Sequence, residues 1–210
     1  MNFFGHAVLA ARTSPSDAFV LGAMLPDFAS MLGARLPRTS HAELAAGVRF
    51  HHRTDDAFHG APSFLAISRE ALRFLLERGV RKGSARAVAH VGVELELDRA
   101  LSGDLHARAR YRAALACIDD VAAEITWNDP TTTPRLVALC HSLFARGILR
   151  EEPAPELMAE RLRRILEGRP RLRLDDAGQS VVREWIVAAR PSIVSRAPTL
   201  VRELEQRLVT

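Results

Sequence analysis

Residues 1–28, MNFFGHAVLAARTSPSDAFVLGAMLPDF, predict two consecutive helices and with them the fold class of the chain. Apolar residues recur at helical spacing from Asn2 to about Arg12. The segment Ser14-Pro15-Ser16-Asp17 then offers an N-cap, a proline suited to a first turn and an acidic residue that favours the start of a second helix. Pro26 is expected to end that second helix, because proline removes a backbone donor.

The same periodicity continues along the chain, whereas the period-two alternation typical of strands is scarce. We therefore predict an all-α protein. Its 210 residues, 48% of them hydrophobic, suit one compact domain spanning 1–210. The remaining predicted helices are 42–52, 63–78, one capped by Ser84 that runs through 89–98, 104–125, 134–149, 155–167, 176–190 and 192–208. A loop is expected at 55–62 and a helix end before Pro191.

Charge and cysteine content argue against several classes of protein. The net charge is +4, and arginines alternate with glutamates, which favours a mixed-charge surface over a nucleic-acid-binding face. Cys117 and Cys140 lie in apolar helical segments, which predicts reduced core thiols and a cytoplasmic protein. No signal-peptide pattern and no apolar run long enough to span a bilayer are present, so we expect no membrane span.

Histidine and aspartate interrupt the apolar segments at His6, Asp27, His51 and Asp55. Taken singly, His6 suits a core histidine and Asp27 an ordinary helix-end aspartate. Together they supply the imidazole and carboxylate donors that divalent transition metals prefer, and the spacing of His51 and Asp55 lets both side chains converge. The sequence therefore predicts a metal site, with Arg53 as the candidate for holding a phosphate.

A second group of donors follows in the middle of the chain. His90 and Glu94 are four residues apart and share one helical stripe with Asp98, so we predict that His90 and Glu94 complete or support the metal shell. The alternative is an ordinary solvent-exposed face. His59 is a weaker candidate ligand, and Glu96, which points away from the stripe, is expected to be solvated.

Several of these segments, at similar spacings across most of the chain, resemble the acyl carrier protein phosphodiesterase family, a metal-dependent relative of the HD-type phosphohydrolases. The resemblance is carried by Met1-Asn2-Phe3 with His6, by Gly22 with Leu25 and Asp27-Phe28, by Gly47 with His51, Arg53 and Asp55, and by Arg169-Pro170-Arg171-Leu172. One feature departs from the family pattern. The family's middle helix commonly carries an Asp-His pair, whereas Ala89 precedes His90 here and Glu94 would replace the missing acid.

The resemblance implies an HD-domain-like helical fold, a divalent ion, and hydrolysis that releases 4'-phosphopantetheine from holo acyl carrier protein. The ion would be manganese, with zinc or iron as alternatives. Asp27 would be the functional aspartate, with His6, His51 and Asp55 beside it. The hypothesis is that the ion activates water and that Arg53 steadies the phosphate.

Two other interpretations stay open. His6, the segment that ends in Asp27 and the His90-x-x-x-Glu94 pair also resemble zinc-dependent phospholipase C and related helical nucleases, which are phosphodiesterases too. A non-enzymatic helical regulator is the third interpretation, although no N-terminal helix-turn-helix with a basic recognition helix is evident.

Overall fold

The computed structural model describes residues 1–147 and 154–209, which form two compact units. The described residues of the first unit are 1–58, 101–147 and 205–209, and those of the second are 59–100 and 154–204. The single domain spanning 1–210 that the sequence predicts stays a prediction.

Helices dominate the described residues, and the all-α class is confirmed, whereas the HD-like architecture stays a hypothesis. Two short strands, β1 (Arg38–Thr39) and β2 (Ile125–Thr126), pair antiparallel. Within residues 1–147 and 154–209 there are eleven α-helices: α1 (Phe3–Thr13), α2 (Asp17–Met31), α3 (Ala42–His59), α4 (Pro62–Glu77), α5 (Lys82–Ala87), α6 (Val93–Leu101), α7 (Leu105–Ala116), α8 (Ile118–Val121), α9 (Thr132–Arg146), α10 (Pro155–Glu167) and α11 (Asp176–Val209).

An aromatic cluster holds α1, α2 and α7 together in the first unit. The ring of Phe3 lies 5.6 Å from that of Phe28, and the ring of Phe4 meets Tyr111 edge to face at 5.4 Å. Such tilted and edge-on pairs are favoured by the ring quadrupole and add to the burial energy of the rings. This packing positions His6 on α1 and Asp27 on α2 in the same unit.

The prolines do not end their helices, which corrects two predictions. α2 continues past Pro26 to Met31, and α11 continues through Pro191 to Val209. A proline inside a helix costs about 3 kcal/mol, and burying an aromatic or aliphatic side chain gains about 1.5–3 kcal/mol. Phe28 and Ile193, both almost fully buried beyond these prolines, therefore help to offset the cost.

Other predicted boundaries are also wrong. The expected loop at 55–62 is largely helix, because α3 continues to His59, and the expected helix 104–125 breaks after Ala116. Ser84 is not a cap but lies inside α5, where its hydroxyl donates to the carbonyl of Arg173 at 3.1 Å. Residues 148 and 149 of the predicted helix 134–149 lie outside the described residues.

Glu96 is buried, which corrects the expectation that it is solvated. Its side chain has no exposed surface, and it accepts hydrogen bonds from Nε of Arg190 at 3.1 Å and from Nε of Arg99 at 2.7 Å. Arg190 reaches it from α11, which is distant in sequence and therefore invisible to helical spacing. The carboxylate and the two guanidinium groups form a buried ion-pair network in the second unit.

The cysteines match the expectation of reduced core thiols, since Cys140 is buried, Cys117 is half-buried and both are free thiols. No helix within 1–147 or 154–209 combines the length and the apolar character needed to cross a membrane.

Candidate metal centres

Two glycines let α2 and α3 cross at backbone contact. A Cβ atom on Gly47 would lie 2.2 Å from the carbonyl oxygen of Phe19 and 2.8 Å from the backbone nitrogen of Ala23. A Cβ atom on Gly22 would likewise lie 2.3 Å from the carbonyl oxygen of Leu44. Only glycine fits at such a distance, and the close approach brings His51, one turn beyond Gly47, against α2.

His51 is held in one tautomer by α2. Its Nδ1 lies 2.9 Å from the carbonyl oxygen of Ala23, and a carbonyl can only accept, so Nδ1 carries the hydrogen. Burial lowers the pKa of His51 below its ordinary value, although the Ala23 carbonyl opposes this effect. The ring is therefore neutral near pH 7, with its lone pair on Nε2.

His6 meets protein oxygens at both ring nitrogens. Nδ1 lies 2.7 Å from the hydroxyl oxygen of Thr54, and Nε2 lies 3.0 Å from the carbonyl oxygen of Met1. A carbonyl can only accept, so Nε2 carries a hydrogen, and Nε2 could bind a metal only by releasing that hydrogen and leaving the Met1 carbonyl. The rings of His6 and His51 stack with their centroids 3.9 Å apart. Donation of the other ring nitrogen to a protein oxygen, as seen at Nδ1 of His51, is the usual support of a metal-binding histidine.

Asp27 completes this group. One potential ligand atom from each of His6, Asp27 and His51 lies within 4.8 Å of the other two, and both histidines are buried. We call these three residues the first donor group. Two imidazoles and a carboxylate match the donor set of divalent transition metals, so the residues present could hold such an ion.

Asp55 lies beside the first donor group. Its Oδ1 is 3.8 Å from Nε2 of His6 and accepts a hydrogen bond from the amino group of Met1 at 3.0 Å. The structure thus brings together all four residues on which the predicted metal site was built. Asp55 lies on α3 and not in the expected loop. Because it follows His51 by four residues on this helix, the two side chains share one helical face.

His90 and Glu94 belong to a second donor group, which also contains His59. One potential ligand atom from each of these three residues lies within 4.8 Å of the other two, and all three belong to the second unit. Burial would raise the pKa of Glu94, but hydrogen bonding with His59 and His90 outweighs it and holds the pKa of that carboxyl far below its ordinary value. That His90 and Glu94 complete the shell of His6 stays a hypothesis.

Helical spacing within one segment identified His90 and Glu94 as candidate ligands. It gave little support to His59 as a third ligand. His59 is the last residue of α3, and it meets the pair only through tertiary packing. The one sequence signal available was chemical: a histidine at a predicted loop, close to the other histidines of the chain.

Arg53 lies on another face of α3. Its guanidinium donates to the carbonyl of Leu208 at 2.7 Å and lines a cavity of about 600 Å³. Arg12 and Arg49 also line this cavity, as do apolar side chains such as Phe50, but no member of the first donor group does. That Arg53 steadies the reacting phosphate therefore stays a prediction.

We expect Gly47→Ala to destabilise the protein by about 2 kcal/mol or more and to weaken metal binding. Alanine gains about 1 kcal/mol of helix propensity over glycine, but the new methyl would meet the backbone of α2, which cannot rotate away. Urea denaturation and metal titration measure both effects.

Gly103→Ala is the matched control for this substitution, because a Cβ atom there would meet nothing within 4 Å. Its stability should stay within about 0.5 kcal/mol of the parent. Unchanged stability and metal affinity in Gly47→Ala would contradict the account of the crossing.

The chemistry available in the first unit is that of two imidazoles and one carboxylate around a common point, with a second carboxylate beside them. Such a set binds a divalent ion that can polarise water and phosphoryl oxygens. Comparisons with protein-family models, with curated proteins and with solved structures found no match to this chain.

Proposed function

We propose that this protein is a metal-dependent phosphodiester hydrolase that releases 4'-phosphopantetheine from holo acyl carrier protein. The observation that carries the proposal is the first donor group, in which the stacked rings of His6 and His51 share one locus with Asp27 and Nδ1 of His51 donates to a carbonyl. A hydrogen bond from the ring nitrogen that does not bind the ion is the usual support of a metal-binding histidine.

Each residue of this site has a defined task in the proposal. Nε2 of His51, the imidazole of His6 and the carboxylate of Asp27 hold the ion, while the carbonyl of Ala23 and the hydroxyl of Thr54 keep the two rings aimed. When bound, the ion supplies Lewis acidity toward water and the phosphoryl oxygens. Asp55, next to His6, is placed to accept a proton or to add a ligand.

The proposed ion is manganese. The first donor group offers nitrogen and oxygen donors without a thiolate, and such sets accept manganese, iron and zinc alike. The resemblance to acyl carrier protein phosphodiesterases is what favours manganese among these. Elemental analysis of the purified protein tests this choice directly.

The arginine-lined cavity supports a negatively charged substrate. Arg12, Arg49 and Arg53 line this cavity together with apolar walls and one carboxylate, that of Glu205, which pairs with Arg12 at 2.9 Å. Three arginines against one glutamate leave the lining basic, which suits an anionic group attached to a less polar chain. Carrier proteins are acidic, so attraction to arginines would speed encounter and would weaken as salt is added. The proposal places Arg53 at this contact with the substrate.

The protein is loaded with manganese or zinc and is then incubated, in parallel reactions, with holo acyl carrier protein, with a phospholipid and with single-stranded DNA. We expect phosphopantetheine release from the carrier protein, at a rate that falls as ionic strength rises. Mass spectrometry of the carrier protein and of the released thiol measures the reaction.

The same panel separates the other interpretations. Cleavage of the lipid or of the DNA without release of phosphopantetheine would replace the proposed substrate with that of a phospholipase C or nuclease. DNA binding that needs no metal, with no turnover of any substrate, would overturn the enzyme proposal in favour of a regulator.

A further inference from the structure

The second donor group is assembled by three different elements of the chain. His59 is the last residue of α3, His90 lies in a π-helical turn (Val88–Gly92), and Glu94 lies in the first turn of α6. The π turn joins α5 directly to α6 and adds a residue to that helical turn. Such π turns recur at functional sites because they re-aim side chains at the expense of regular hydrogen bonding.

Packing explains why the π turn persists. Gly92, its last residue, lies against the indole of Trp185, where a Cβ atom would come within 2.8 Å of the ring. The turn is thus pressed onto α11 at the point where only glycine fits. His90, two residues earlier, is left with 48% of its side chain exposed and can reach a ligand from solvent.

The geometry around Glu94 suits a metal ion. Oε1 of Glu94 lies 3.1 Å from Nε2 of His90 and 3.6 Å from Nε2 of His59. Two donors that each lie about 2.0–2.2 Å from one tetrahedral ion are separated by about 3.3–3.6 Å. The observed separations lie in or close to this range, so an ion could be held with little rearrangement.

An aromatic frame holds the two imidazoles in place. The rings of His59 and His90 stack with centroids 4.9 Å apart and planes 17° apart, and Phe64 meets both of them nearly edge to face, at 5.7 Å each. Rings fixed in this way lose little freedom when they bind, which favours binding. Glu94 is 14% exposed, so its charge is only partly solvated and gains from a cation.

We propose that His59, His90 and Glu94 bind a divalent transition-metal ion, of the zinc type, in the second unit. Two imidazoles and one glutamate are the protein ligands of a class of zinc sites that keep a fourth position open to water or a ligand. This site goes beyond the proposed function, which uses only the first donor group. A histidine–glutamate ion pair without metal is the competing account, and the two differ in what they predict for metal content.

The experiment counts metal in chelator-treated full-length protein that has been re-loaded with Zn²⁺ and passed through a desalting column. We expect His90→Ala and His59→Ala each to lose one equivalent relative to the parent while keeping the parent's circular dichroism spectrum. Titration with Co²⁺ should show a visible absorption band that these two variants lose. The matched control is His141→Ala, because His141 is an exposed histidine bonded to Asp119 at 2.9 Å, and no third donor joins this pair among residues 1–147 and 154–209.

Two further variants keep this proposal separate from the proposed function. Asp27→Asn leaves the second donor group intact. This variant should therefore keep the equivalent of zinc that His90→Ala loses. Glu94→Gln should lose it without disturbing the packing around Phe64. Metal content and a cobalt spectrum unchanged in His59→Ala, His90→Ala and Glu94→Gln would overturn the site. Loss of metal in Asp27→Asn alone would support the first donor group and refute the second.

Discussion

Asp27→Asn is expected to abolish hydrolysis and to remove the metal ion of the first donor group while the fold persists. Substitution of residues that merely support a metal ligand costs about 10–100-fold in affinity or activity, so losing a ligand itself should cost at least about a hundredfold. Asparagine keeps the shape of the side chain, and Asp27 is only half-buried on α2. Phosphopantetheine release and elemental analysis measure the effect, and circular dichroism measures the fold.

Asp56→Asn is the matched control, because Asp56 is an exposed aspartate on α3 that belongs to neither donor group. It should retain both activity and metal. An Asp27→Asn protein that hydrolyses its substrate as fast as the parent at limiting metal would refute the assignment of Asp27 as a ligand.

Glu96→Gln is expected to lower the free energy of unfolding by about 3 kcal/mol, the lower end of the cost of removing one partner from a buried ion pair. The carboxylate has no exposed surface and faces the guanidinium groups of Arg99 and Arg190, which would keep their charge. Glutamine fills the same space but carries no charge, so the loss is electrostatic and leaves no cavity. Urea denaturation of the metal-free protein measures it.

Glu77→Gln serves as the comparison, because Glu77 is an exposed glutamate at the end of α4 in the same unit. Its effect should stay within about 0.5 kcal/mol. Equal stabilities of the two variants would mean that the Glu96 network contributes nothing net to folding.

Much of the candidate site follows from residue chemistry alone. His6, Asp27, His51 and Asp55 are polar residues within apolar helices, and burying such groups costs energy unless they have partners. That cost is why four residues spread over the first 55 positions lie side by side in the structure. The periodicity of the apolar residues likewise predicted an all-α fold, because helical spacing is a local property.

Local patterns failed where distant parts of the chain decide the outcome. Pro26 and Pro191 predict helix ends, but the helices continue because the residues beyond them are buried. The local sequence predicts that Glu96 lies at the surface, whereas in the structure it is paired with Arg190 of α11.

What the sequence determined by itself is therefore the helical class, the donor chemistry and the choice of His6, Asp27, His51 and Asp55 as one group. Only the tertiary structure decided that Gly22 and Gly47 let α2 and α3 touch and that His59 joins His90 and Glu94. The physical reason is range. Helix formation and side-chain chemistry depend on neighbours within a few residues, whereas a backbone contact or a shared ligand locus depends on which surfaces are buried against each other.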